Sequence, residues 1–311
     1  MANSSELTYA FFEGNVVKTE EAKISIMTNA LQYGNGVFGG IRGYYNKEKE
    51  FLSVFRLDDH IARFMQSFKI LGVTLKYDEK QLKKIFLDLI QKNDPKTDVY
   101  FRPFGYAAST NLTPSLAGDS QFEFALYMIA LGDYLPTDKG LSVMVSSWRR
   151  VSDNAIPSRA KISGAYVNSS LAKNEATKRG YDEAIFLSED GHVAEGSAMN
   201  LFIIRNGILI TPSSSENILE GITRRTMVKM AEDLGVPVME RVIDRTELYV
   251  ADEAFFCGTG AQVAWISHID DRQIGNGTRG PITAQLQDLF FQTVRGNNKK
   301  YEDWCTRCTY K

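Results

Sequence analysis

Apolar side chains return every three or four residues in "RLDDHIARFMQSFKILG" and "DEKQLKKIFLDLIQKN", which predicts two amphipathic helices in the first third of the chain. An Asp stands near the start of the first and Gly72 at its end, while Asn93 and Pro95 close the second. Three more helices are predicted: at "YVNSSLAKNEATKRG", beginning at about Tyr166, at "ITRRTMVKMAEDLG", and from Pro281 onward. Elsewhere the pattern shortens to alternation or to compact apolar runs, as in strands. "LTYAFFEG" and "NVVKTEEAKISI" flank Glu13, Gly14 and Asn15 and read as an opening hairpin. "VFGGIRGYY" and "FLSVFRL" surround the polar turn "NKEKE", and "DVYFRPFGY" and "QFEFALYMIAL" are joined by a long connection. Later strands are "LSVMVSSW", "DEAIFLS", "NLFIIRNGILIT", "VPVMERV", "EAFFCG" and "QVAWISHI". Turns as tight as "SEDGH" and "RNG" join antiparallel neighbours, so a mixed α+β architecture fits better than a purely parallel, doubly wound sheet.

The stretch "GDYLPTDKG", residues 132–140, is polar and holds a Pro between two Gly. It divides the chain into an N-terminal domain of residues 1–131, a linker of 132–140 and a C-terminal domain of 141–311. A chain of 311 residues with 43% hydrophobic and 24% charged residues can build two real cores and carries no signature of disorder. A formal charge of −2 gives no polybasic footprint, which argues against a nucleic-acid partner. The opening "MANSSELTYAFFEG" lacks a basic start followed by an apolar run, and no apolar stretch reaches the length of a membrane span. Three cysteines, Cys257, Cys305 and Cys308, fit a reducing cytoplasm better than a disulfide framework. "CTRC" has C-x-x-C spacing without a second ligand pair, and three scattered histidines add none, so no metal site is expected.

Candidate chemistry gathers at turns. In "NAIPSRAKISGAYVNSSLAK", Lys161 follows a strand-like run and stands among Pro157, Ser158, Ser163 and Gly164. "NILEGITRRTMVKM" opens a helix on Gly, Ile and Thr, whose free N–H groups can cradle a phosphate. Taken alone, Thr223 also reads as a plain N-cap. "CGTGAQV" is a second small-residue turn able to present N–H groups to an anion, though it lacks a dinucleotide-binding spacing. Strand alternation puts Phe38, Gly40 and Arg42 on one face of "VFGGIRGY", and Tyr100, Arg102 and Phe104 on one face of "VYFRPF". An arginine sharing a face with aromatics either exits at a sheet edge or faces a polar pocket. Arg63, near Ile61, Phe64 and Phe68, reads on its own as a helix-surface ion-pair partner, and Glu195 in "HVAEGSAMNLF" as a turn carboxylate.

The set in this order resembles the fold-type-IV pyridoxal-phosphate aminotransferases, and most of all the branched-chain amino-acid aminotransferases. The resemblance runs from "ALQYGNGVFGGIRGYY" through "RLDDHIARF", "VYFRP", "VMVSSW", "AKISGAYVNSSLAKNEATKRGYDEAIFLSEDGHVAEGSAMNLF" and "LEGITRRT" to "ADEAFFCGTGAQV" and "RGNNKKYEDW". It implies a small N-terminal domain and a larger C-terminal pseudo-barrel domain that binds pyridoxal 5′-phosphate. It implies a Schiff base at Lys161, Glu195 beside the pyridine nitrogen, Arg63 on the phosphate, and Ile222, Thr223 and Thr259 completing the phosphate cradle. Tyr166 would bond the ring hydroxyl and Leu219 pack on the ring face. Tyr33, Phe38, Gly40, Arg42, Tyr100, Arg102, Tyr134, Thr259 and Gly260 match substrate-pocket positions. Thr259 and Gly260, helped by Tyr100, would take the α-carboxylate, and Arg102 the distal carboxylate of glutamate or 2-oxoglutarate.

The implied reaction is ping-pong transfer of the amino group of leucine, isoleucine or valine to 2-oxoglutarate. Part of the pocket is expected from a second copy, so a homodimer is the smallest expected assembly. Three departures stand out: Gly39 where the family usually has Glu, Ala198 and Met199 in place of the commoner Gly-Glu pair, and a 107–118 loop that is not glycine-rich. They are expected at the pocket rim, where they bear on substrate range. A D-amino-acid or (R)-amine transaminase of the same fold is the alternative, with an aminochorismate lyase third and a non-catalytic binding protein from another class. Retention of Gly40, Arg42, Tyr100 and Arg102 favours the first reading.

Overall fold

A computed structural model of the chain describes residues 4–116 and 122–309. Ala117 and Gly118, the end of the 107–118 loop, lie outside the described residues. Contacts divide the chain into two compact units, one holding the chain as far as Gly132 together with 160–164 and 292–311, the other holding 133–159 and 165–291. The first of these runs ends at Gly132. The chain then re-enters the first unit twice, which a composition shift along the sequence cannot reveal.

The first unit is an antiparallel sheet. In spatial order its strands are Cys305–Thr309, Phe51–Phe55, Ile41–Asn46, Val99–Ala107, Phe122–Leu131, Tyr9–Phe12 and Asn15–Lys18. Gly36–Phe38 also pairs with Val99–Ala107, and Ser4–Glu6 with Phe122–Leu131. A short helix α1, Asn29–Tyr33, is followed by α2, Leu57–Leu71, and α3, Glu79–Asn93. α2 ends at the predicted glycine and α3 at the predicted Asn93, and α3 carries an N-terminal cap besides. Gly72 ends α2 at φ +69, and Asp78 caps α3 by accepting from the Gln81 N–H at 2.8 Å while the Gln81 side chain accepts from the Asp78 N–H.

From Val99 to Phe104 the period of two is strict. Val99, Phe101 and Pro103 are buried, the first two in one core with residues of α2 and α3, and Tyr100, Arg102 and Phe104 occupy the other face. The core behind the sheet is aromatic: Phe124 meets Phe11, Phe64 and Tyr77 at ring-centroid distances of 5.8, 5.9 and 5.8 Å. Phe124 is fully buried, so Phe124→Ala should cost about 3–5 kcal/mol, read as a lower urea midpoint for loss of the first unit's structure.

Two strand expectations are corrected. "NVVKTEEAKISI" is a strand only through Lys18, after which Thr19–Glu21 turns as a 3-10 helix. The run "VFGGIRGYY" is split into Gly36–Phe38 and Ile41–Asn46, although its register does not slip: Phe38 pairs with Phe104 and Ile41 with Phe101. Gly39 therefore faces Pro103, which has no N–H to give the ladder. The face shared by Phe38, Gly40 and Arg42 survives the break.

The second unit is a mixed sheet. Its hydrogen-bonded order is Val193–Gly196, Glu183–Leu187, Leu141–Arg149, Gln262–Ile269, Glu253–Gly258, Asn200–Arg205, Ile208–Thr211 and Val238–Glu240. Glu183–Leu187 and Gln262–Ile269 both run parallel to Leu141–Arg149, Val238–Glu240 runs parallel to Ile208–Thr211, and the other ladders are antiparallel. "RNG" makes the expected hairpin, with Asn206 and Gly207 at φ +51 and +75. Helix α4, Tyr166–Lys178, lays Ala172 and Ala176 against Met144, Ala184 and Phe186. Helix α5, Ile222–Asp233, buries Met227, Met230 and Ala231. Met199, expected at a pocket rim, is instead buried in this unit's core with Leu201 and Phe256, because Asn200–Arg205 is a central strand. A last helix, α6, covers Pro281–Val294.

Cys305 and Cys308 lie three positions apart on one strand and so point to opposite faces, which rules out a bridge between them. The Cys305 Sγ donates to the Thr293 carbonyl at 3.2 Å. Burial pushes the Cys308 thiol up to about 11. At pH 8 only about one such thiol in a thousand is thiolate. Ellman's reagent should therefore label Cys308 slowly in the folded protein and quickly in urea.

Candidate active site

Lys161 is held by its backbone. Its carbonyl accepts from the Phe38 N–H at 3.0 Å, and Ile162 forms an antiparallel bridge with Val37. Ser163 Oγ donates to the Gly34 and Gly36 carbonyls at 2.9 and 3.2 Å, and the Gly164 N–H donates to the Gly34 carbonyl at 3.2 Å. The turn residues around the lysine are thus stitched onto the strand that carries Phe38. Gly34, at φ +72, makes this possible: a Cβ there would lie 2.8 Å from Gly164 Cα. The lysine side chain is half-buried, and its Nζ lies 5.0 Å from the centre of the Phe38 ring.

A second link runs to α2. The Lys161 N–H donates to Ser67 Oγ at 3.3 Å, and that hydroxyl donates to the Arg63 carbonyl at 3.1 Å. Ser67 is buried, so this relay fixes the α2 turn bearing Arg63 against the lysine strand.

The expected one-faced cluster is present. The Arg102 guanidinium carbon lies 4.6 Å from the Phe38 ring centre and 5.2 Å from that of Tyr100, and Arg102 Nη2 donates to the Tyr100 hydroxyl at 3.3 Å. Gly40 leaves room for this arrangement, since a Cβ there would lie 2.0 Å from the Tyr100 hydroxyl. Arg102 Nε is buried without a hydrogen-bond partner among the described residues. A guanidinium resting on two rings with a donor unspent is suited to receiving a carboxylate.

Arg42 is placed differently from a pocket-lining residue. Its Nη2 donates to the Leu131 and Gly132 carbonyls at 2.7 and 2.6 Å, and the side chain is sealed within the first unit. Its antiparallel partner is Tyr100. Tyr33 ends α1, is exposed, and makes none of the ring or hydrogen-bond contacts that join Phe38, Tyr100, Arg102 and Lys161.

In the second unit, Glu195 is 5% exposed and receives three donors. Arg150 Nε lies 3.0 Å from Oε1, while Asn200 Nδ2 and the Leu219 N–H donate to Oε2 at 3.1 and 3.2 Å. All three neighbours donate, the arrangement an ionised carboxylate accepts. The segment through Leu219 then enters α5. Gly221 is its N-cap, no side chain caps its first turn, and Ile222 and Thr223 there are buried. Buried helix-start N–H groups without a capping side chain suit a phosphate group. A buried acid held by donors and a buried helix start without a capping side chain, both in the second unit, fit the implied pyridoxal 5′-phosphate.

The "CGTGAQV" turn joins Glu253–Gly258 to Gln262–Ile269. Buried Gln262, at φ +58, donates through Nε2 to Asp133 Oδ1 at 2.6 Å. A Cβ on Gly260 would lie 3.8 Å from the Tyr134 ring, so Tyr134, Thr259 and Gly260 form one neighbourhood. Tyr166 is the first residue of α4 and is half-buried. Sequence reading missed Ser67, Arg150, Asn200 and Gln262, which act through other residues. The Asn of "EGSAMNLF", five positions after Glu195, was the one available signal.

Known proteins resemble this chain. The family described as Amino-transferase class IV matches residues 36–269. An Aquifex aeolicus protein bearing the name "Probable branched-chain-amino-acid aminotransferase" is 49% identical over 307 residues, 98% of each chain. The crystal structure of the branched-chain aminotransferase from Thermoproteus uzoniensis with norvaline superposes with a TM-score of 0.93 at 42% identity, covering 97% of this chain and 99% of that one. The Thermobaculum terrenum branched-chain amino acid aminotransferase in its PLP form gives a TM-score of 0.93 at 38% identity, covering 97% and 99%. The chain therefore belongs to the class IV aminotransferases and, among them, to the branched-chain amino-acid aminotransferases.

Proposed function

We propose that this enzyme moves the amino group of L-leucine, L-isoleucine or L-valine to 2-oxoglutarate in two half-reactions. The observation that carries this reading is the single sheet face on which Phe38, Gly40, Tyr100 and Arg102 meet, with the Lys161 Nζ beside the Phe38 ring. Such a face offers apolar surface to a branched side chain and one desolvated cation to the distal carboxylate of glutamate.

The cofactor is pyridoxal 5′-phosphate, whose ring, when bound, withdraws electron density from the substrate Cα. Lys161 would carry it covalently and supply the amine that moves a proton at the substrate Cα. Glu195, which Arg150, Asn200 and Leu219 hold, would serve the ring nitrogen as its acid partner. Arg63, Ile222, Thr223 and Thr259 would hold the phosphate, Tyr166 would bond the ring hydroxyl and Leu219 would pack on the ring. Thr259 and Gly260, with Tyr100, bind the α-carboxylate, and Tyr134 lines the pocket beside them. Arg42 supports the pocket from behind Tyr100.

A second copy of the chain completes the assembly. Ile24, Ile26, Met27, Leu31 and Tyr33 are all exposed within ten residues, an apolar run that association would cover. No helix among the described residues is long and apolar enough to cross a membrane, and the cysteine usage suits the cytoplasm.

Rates with L-leucine, L-isoleucine, L-valine, D-alanine and an (R)-arylamine against 2-oxoglutarate test the assignment. The branched-chain donors should lead. Turnover of D-alanine or the arylamine without turnover of leucine, isoleucine and valine would reject it.

A further inference from the structure

We propose that Asn200 is a positioning residue that locks the acid at Glu195 and the start of α5 into one rigid group, so that the two ends of the cofactor meet partners at a fixed separation. This rests on the assignment of Glu195 to the ring nitrogen and of α5 to the phosphate.

Asn200 is the first residue of a central strand, paired with Cys257, and is 4% exposed. Its amide is used twice: Nδ2 donates to Glu195 Oε2 at 3.1 Å and to the Leu219 carbonyl at 2.9 Å. The Leu219 N–H returns to the same Glu195 oxygen at 3.2 Å. Glu195, Asn200 and Leu219 thus form a closed triangle, with each corner bonded to the other two. The other side of the amide reaches α5. A Cβ built on Gly221 would lie 2.1 Å from Asn200 Oδ1, with the next contacts at 3.3 Å to Asn200 Cγ and 3.4 Å to Arg224 Cβ.

Gly221 has φ −67 and ψ 138, a conformation open to every residue. Glycine stands at this N-cap for space, and Asn200 is what takes that space. One amide therefore touches the acid, the segment through Leu219 and the first turn of α5. Rotating it away would loosen the acid and shift the helix start together. Arg150 acts on the opposite carboxylate oxygen and also donates from Nε to the Asn217 carbonyl at 3.2 Å, so it supplies charge from the far side without reaching α5.

The proposal makes the two positions interdependent. Asn200→Ala should weaken binding of pyridoxal 5′-phosphate to the full-length apoprotein by about 10- to 100-fold, the worth of hydrogen bonds to a charged group. It should also displace the pH titration of the bound cofactor's absorbance band, because the acid is no longer held. Gly221→Ala alone should weaken binding by about tenfold or more, and in the Asn200→Ala background by less than about threefold, since the new methyl then enters vacated space.

Additive losses from the two substitutions would overturn the proposal. So would an unchanged binding constant and band titration in Asn200→Ala, even if that variant melts earlier. If Asn200→Ala does not fold, Gly221→Ala carries the test, and parental cofactor affinity and band titration in that variant would overturn the proposal. Glu195→Gln separates the two levels of inference. If it moves the band titration and Asn200→Ala does not, only the positioning role fails. If Glu195→Gln leaves the titration unmoved, the assignment of Glu195 fails first.

Discussion

Lys161→Ala should lower amino-group exchange by about 10⁴-fold or more, because the nucleophile and the proton carrier are removed together. The fold should survive. The contacts that stitch this segment in place use the Lys161 carbonyl, its N–H and the neighbouring Ser163 and Gly164, all of which alanine keeps. What the substitution removes near Phe38 is one cation–ring contact, worth about 1 kcal/mol at most at a partly exposed position. Thermal melting should accordingly stay close to that of the parent. Borohydride reduction of the parent, followed by peptide mapping, should fix the cofactor to the peptide containing residue 161 and leave the variant unlabelled. Label on another lysine in the parent would remove the basis of the assignment.

Arg102→Met should separate the two half-reactions. With glutamate or 2-oxoglutarate, kcat/KM should fall by about 100-fold, the cost of a lost charge-assisted contact with a distal carboxylate. With leucine, isoleucine or valine, whose side chains carry no such carboxylate, the loss should stay below about tenfold. The structural reason is the environment of the guanidinium: it lies over the Phe38 and Tyr100 rings and keeps Nε buried and unspent. Methionine preserves much of the apolar contact with those rings and removes the charge together with the hydrogen bond to the Tyr100 hydroxyl. Single-turnover measurements with each amino acid would read the split directly. Equal losses on both sides would place Arg102 in a general binding or structural role.

The two experiments probe different parts of the same reading. The lysine result concerns the chemistry shared by every transaminase of this class, while the arginine result concerns substrate choice. Substrate choice is also what the departures expected from the sequence would bear on. Two of those departures now have local explanations. Gly39 lies opposite Pro103, and a Cβ there would sit 2.6 Å from Pro103 Cγ, so the proline ring leaves room for only a small residue. Met199 fills the core against Gly196 and Gly258.

Much of this protein was legible in its sequence because local physics wrote it there. The period of α2 and α3, the Gly72 stop and the close at Asn93 determined two helices before any tertiary contact was considered. Alternation along "VYFRPF" put Tyr100 and Arg102 on one face, and the structure keeps them there because side-chain direction in a strand reverses at every residue. Three matters were decided only by tertiary structure. The break at Gly39 depends on a proline in another strand. The return of residues 160–164 and 292–311 to the first unit depends on which edges and hydrogen-bonding groups were left open. The hold on Glu195 depends on Arg150, Asn200 and Leu219, which converge from three separate segments. Periodicity reports which way a side chain faces within its own element; which partner it meets there is set by packing between elements distant along the chain.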